Sequence, residues 1–134
     1  MASRVIHFEI PVDDADRAAR FYGDVFGWSI NKWGPVDYWT MTTGDAPGPG
    51  AEGALTPRSE APGGVMIYIS VSDIDEAIRR VRAAGGEALT ASLPVPGMGW
   101  MARIRDPEGN VVGLFREDPA AAPGGMDERH GDAA

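Results

Sequence analysis

Cysteine is absent from the 134 residues, which excludes disulfides, thiolate metal ligands and cysteine nucleophiles together and makes the cytoplasm the simplest compartment. A run of about 20 apolar residues is missing as well. The longest uncharged stretch, 88–102, is broken by Pro94, Pro96, Gly97 and Gly99, so no membrane-spanning helix is expected. The start lacks the basic-then-apolar pattern of a secretory signal, since Glu9, Asp13, Asp14 and Asp16 arrive at once. Basic residues are scarce: 12 against 20 acidic, a net charge of −8 with no Lys/Arg stripe. Phosphate backbones and anionic lipid surfaces are therefore poor partners, and neither nucleic acid nor membrane is expected. No glycine-rich loop leads into a helix to cradle phosphate. Serine hydrolysis lacks a nucleophile elbow, and His130 stands near the C-terminus.

What is present suits one globular domain. Hydrophobic residues make up 43% of the chain and charged residues 24%, close to ordinary values for domains that fold in water. From Glu117 onward apolar periodicity stops and acids, prolines and alanines take over. Residues 117–134 are expected to be a disordered acidic tail, leaving 1–116 as the domain.

Sliding the sequence along itself exposes a repeat. Residues 7–16 match 66–75 at a constant shift of 59, so that Val12 meets Val71, Asp14 meets Asp73 and Asp16 meets Asp75. Further on, Trp39 falls on Trp100 at a shift of 61 and Gly53 on Gly113 at a shift of 60. In each half an alternating apolar strand comes first. It is followed by a helix with apolar residues at helical spacing, capped by Asp13 or Ser72 and closed by Gly27 or Gly85–Gly86. Three further strand-like segments complete each βαβββ module, about 4–57 and 65–116, with 58–64 as linker. The glycine- and proline-rich stretches 44–53 and 92–99 read as loops, and Asp106-Pro107-Glu108-Gly109-Asn110 as the last turn. The first helix is expected to pack on the Ile6, Phe8 and Ile10 face, with Phe21, Phe26 and Trp28 filling the core between.

The tandem βαβββ pair, Phe21-Tyr22 to Gly27-Trp28 at the first helix exit, Val-Ser-Asp-Ile-Asp-Glu-Ala at 71–77 and Asp-Pro-Glu-Gly-Asn at 106–110 resemble the vicinal oxygen chelate superfamily, which includes glyoxalases, bleomycin-resistance proteins and dioxygenases. The resemblance covers about residues 4–116. It implies an α+β fold whose two modules form a curved, cup-shaped sheet with helices outside. Metal-using members take His, Glu, His and Glu from the first and last strands of each module. In the repeat register those positions are His7, Gly53, Met66 and Gly113, of which one carries a good donor for a divalent ion. Glu52 is expected to point away if Gly53 points in, whereas Glu9 shares the face of His7. No metal and no cofactor are therefore expected.

The strands implied to line the cup carry Trp33, Trp39, Met41, Leu55, Met66, Tyr68, Trp100, Met101 and Phe115, walls that suit a large, flat, apolar ligand. His7 and Glu9 would meet its polar edges. The expected function is metal-independent sequestration of a bulky aromatic small molecule, similar to the bleomycin-resistance branch and its antibiotic-resistance role, with no catalytic residue assigned. The alternative is a glyoxalase- or dioxygenase-like enzyme (lyase, isomerase or oxygenase) with His7 or Glu9 as general base. The resemblance also implies a homodimer.

Overall fold

The computed structural model describes residues 3–45, 48, 50–60 and 63–122. Among them no helix is long and apolar enough to cross a membrane. The loop 44–53 and the linker 58–64 lie partly outside the described residues, and of the expected tail only 117–122 fall within them.

The fold is α+β, a βαβββ module followed by a second that carries one additional short strand, and the chain divides into two compact units. One runs from Val5 to Ile67. The other begins at Tyr68 and includes the residues up to Arg4, whose carbonyl accepts a 2.8 Å hydrogen bond from the Ser70 N–H.

In the first unit, β1 (Val5–Val12) pairs in parallel with β4 (Glu52–Pro57), and β3 (Trp39–Thr42) joins β4 to β2 (Ser29–Lys32) through antiparallel ladders. The helix α1 (Ala15–Phe26) is capped one residue later than expected. Asp14, in extended backbone, accepts from the Arg17 N–H at 3.0 Å, while Asp13 faces the Arg58 guanidinium at 3.2 Å. Gly27, at φ 74°, closes the helix in the left-handed region that only glycine enters without strain. Phe8 meets Trp28, which stacks on Tyr22 at 5.3 Å and touches Phe26. The expected burial of Phe21 and Phe26 is corrected: they are 55% and 56% exposed, and α1 buries no residue.

In the second unit, β5 (Met66–Ser70) contributes Tyr68–Ser70 to a parallel ladder with β9 (Val111–Glu117). β9 pairs with β8 (Gly99–Arg105), which also carries β6 (Glu87–Ala88) and β7 (Leu93–Val95). The β7 strand replaces part of the loop expected at 92–99. Its Pro94 is tolerated because only β8 flanks it. The cap of α2 (Ile74–Ala83) is Asp73, accepting from the Glu76 N–H at 3.1 Å, not Ser72. Ile74 and Ile78 pack on Trp100, Ala102, Ile104 and Leu114, the inward residues of β8 and β9, to form the core. The expected turn forms: the Asp106 carboxylate accepts from the N–H groups of Glu108 and Asn110, and Gly109 takes φ 89°.

The start of the expected tail is structured. Glu117 extends β9, the Asp118 N–H donates to the Met98 carbonyl at 2.9 Å, and Ala121 is buried in the core while its carbonyl accepts from Gly97. Residues 123–134 lie outside the described residues.

Candidate functional site

Ladder register decides which side chains share a face, because residues paired across a ladder point the same way and neighbours along a strand point oppositely. In the first unit His7 pairs with Glu52, Glu9 with Ala54 and Pro11 with Thr56, so these six share one face. Phe8 pairs with Gly53 and Ile10 with Leu55 on the other. The ring of Phe8 covers Gly53 so closely that a Cβ there would strike it. The expectation that Gly53 shares the face of His7 is thus corrected. Ala54 is the counterpart of Gly113, since Glu9 opposite Ala54 repeats Tyr68 opposite Gly113 at a shift of 59 in both members. Glu52 lies on the face of His7, not away from it.

Trp39, Met41 and Leu55, expected as ligand-facing walls, fall on the Phe8 face: Met41 pairs with Gly53 and Trp39 with Leu55. Met41 and Leu55 are fully buried, and the Lys32 ammonium lies 5.9 Å over the Trp39 ring. Trp33 stands outside the strands, exposed, with its ring edge-on to Tyr38.

On the opposite face, His7 Nε2 lies 2.9 Å from the Tyr38 hydroxyl and 3.7 Å from Glu9 Oε2. The tyrosine donates when Nε2 is unprotonated and accepts when it carries a proton. Glu9 is buried, so its charge needs partners of this kind. Thr56 is buried on the same face, and its Oγ1 has no hydrogen-bond partner. Tyr38, which sequence reasoning missed, sits one residue before β3. The pairing of Thr40 with Ala54 puts Thr40 on the His7 face, and the signal available was that Tyr38 lies two residues before Thr40.

In the second unit Trp100 and Met101, expected to line one wall together, are strand neighbours and point oppositely. Trp100 belongs to the α2-side core. Its indole N–H donates to Asp118 Oδ2 at 3.0 Å, and Arg116 approaches the same oxygen at 3.4 Å. The indole first, then the Ala120 N–H and the Arg116 charge, hold the Asp118 carboxyl below its usual range. Met101 pairs with Phe115, and Tyr68 and Arg103 both pair with Gly113, so these residues occupy the face away from α2. The Tyr68 ring lies against Gly113 and the Phe115 ring against Gly99, in space that a Cβ on either glycine would fill. Tyr68 is buried, as is Met66, two residues earlier on β5. Phe115 also lines a depression of about 300 Å³ with Gly97, Met98, Glu117 and Pro119.

Of the positions corresponding to the four metal ligands, now His7, Ala54, Met66 and Gly113, only His7 carries a donor suited to a divalent ion. Among the described residues no three His, Asp or Glu side chains gather closely enough to hold one. This residue set does not fit the metal of metal-using relatives.

A family profile described as the Glyoxalase/Bleomycin resistance protein/Dioxygenase superfamily matches residues 4–114. The chain is 35% identical over 109 residues to a glyoxylase-like domain-containing protein of Didymella fabae, covering 77% of this chain and 85% of that one. It is 26% identical over 125 residues to the anthracycline biosynthesis protein DnrV of Streptomyces peucetius, covering 82% of this chain but 46% of that one, so it spans less than half that relative's length. Among solved structures, methylmalonyl-CoA epimerase from Mycobacterium tuberculosis superposes with a TM-score of 0.67 at 22% identity, over 86% of this chain and 88% of that one. Carrying that profile across both modules, the chain belongs to the glyoxalase/bleomycin resistance protein/dioxygenase superfamily.

Proposed function

We propose that the chain binds a flat, apolar small molecule without a metal ion, on the strand face of the second module. The observation that carries this reading is the Tyr68 ring seated on Gly113: an aromatic surface occupies the position where metal-using relatives keep a carboxylate. Phe115 and Met101 extend that surface, and burial of a ligand's rings against them supplies affinity at about 25 cal/mol per Å² before the costs of association. The likeness to an anthracycline biosynthesis protein supports a planar polycyclic ligand. Titrating the protein with an anthracycline while following tryptophan fluorescence tests it. Saturable quenching unaffected by a chelator, weakened about tenfold by Phe115→Ala, is the expected result. No quenching, or quenching abolished by chelation, overturns it.

A second reading is favoured by the buried Glu9 beside the His7–Tyr38 hydrogen bond. An imidazole approached by a hydroxyl and a carboxylate can pass a proton to and from a bound molecule, as general acid–base chemistry requires. On this reading the chain is an enzyme, and His7→Ala abolishes turnover while anthracycline binding persists.

A further inference from the structure

We infer that Arg103 recognises an anionic group, a carboxylate or ionised enol, on the apolar ligand of the second module. This rests on the reading of that module as a small-molecule face. Arg103 projects from the middle of β8 toward the side away from α2, beside Gly113 in register. Its backbone is tied at both polar groups to the segment Leu89–Thr90: the N–H donates to Thr90 Oγ1 at 3.0 Å, and the carbonyl accepts from the Leu89 N–H at 2.9 Å. The side chain therefore leaves a fixed point on a rigid strand.

The guanidinium has unmet capacity. Arg103 Nε is buried without a hydrogen-bond partner, and no ion pair to Arg103 occurs among the described residues, whereas Arg105, two residues along the same face, is engaged with Glu87 at 2.6 Å. A buried guanidinium N–H left unsatisfied is costly, and a planar oxyanion is the group whose geometry best completes it. The surroundings set the rest of the ligand. Gly113 offers no side chain to fill the place beside Arg103, the Tyr68 ring covers that place, and Met101 and Phe115 form the next row. One cation at the edge of an aromatic and thioether surface matches an aromatic acid or a polycyclic phenol in its ionised form. A net charge of −8 repels anions in general, so any preference for one must be local.

The test uses 2-naphthoate and its neutral analogue 2-naphthamide on the full chain, by calorimetry and by ¹⁵N NMR of the arginine Nε signals. Wild type is expected to bind the acid about tenfold more tightly than the amide, the range of one charge-assisted contact. The Arg103 Nε signal, identified by its loss in Arg103→Lys, should move with the acid and not with the amide. Arg103→Gln should remove the preference for the acid over the amide, and Arg103→Lys should keep part of it. Equal affinity for the two probes, an unmoved Nε signal, or a preference that survives Arg103→Gln overturns the inference and leaves the apolar-ligand reading standing. Failure of both probes to bind, with anthracyclines also silent, overturns the inference and that reading together.

Discussion

The ring of Tyr68 occupies the space that a side chain at residue 113 would need, and Gly113 is its register partner on the neighbouring strand. Gly113→Ala should therefore cost about 1–3 kcal/mol through overpacking, measured by urea denaturation. The penalty should largely vanish in a Tyr68→Ala background, because the two sites are in contact and couple. Equal penalties in both backgrounds would mean that the ring is not what excludes the methyl.

Thr56 presents a different balance. Its buried hydroxyl lacks a partner, so Thr56→Val should raise stability by about 1 kcal/mol. The same substitution should weaken any ligand that reaches the His7 face through a polar edge. Chemical denaturation and a binding titration on one preparation separate the two effects.

Tyr38→Phe removes one hydrogen bond and keeps the ring that packs on Trp33. A loss of about 0.5–1.5 kcal/mol is expected, together with a changed tautomer distribution of His7 in its ¹⁵N side-chain spectrum. An unchanged spectrum would show that the hydroxyl does not set the imidazole proton.

The contact of Asp118 with Trp100 makes stability depend on acid. Because the folded carboxyl titrates below its unfolded value, its contribution is present above the unfolded carboxylate pKa of about 3.9 and disappears as pH falls through the lower folded value. Wild type should lose stability on acidification across that window, and Asp118→Asn should show a shallower acid limb. Thermal melts between about pH 5 and 2 read the difference.

Much of the fold was legible because the repeat placed both helices, most of the strands and the final turn. The assignment of faces failed by one residue. Reading Gly53 rather than Ala54 as the counterpart of Gly113 moved the face by a single step, and in a strand one step reverses every side chain. The same alternation separates Trp100 from Met101 and sends Trp39, Met41 and Leu55 to the packed side. The ladders do not keep Trp39 and Trp100 as counterparts, since Trp39 pairs with Leu55 while Leu114, the equivalent of Leu55, pairs with Ala102; both indoles nevertheless lie on the packed side of their strands, the ordinary place for an aromatic. The β7 strand was hidden by Pro94 and Pro96, and Ala121 by its position after the last apolar run. Arg103 carried no sequence signal, because its significance lies in a hydrogen bond not made.

The lack of burial along α1 has a kinetic consequence. A helix with no buried residue, whose Tyr22 stacks on Trp28 while Phe21 and Phe26 stay largely exposed to solvent, should open by a local fluctuation well before the strands part. Hydrogen–deuterium exchange should then label its amides at low denaturant while those of β1 and β4 stay protected, making residues 15–26 the first segment of the first module to yield.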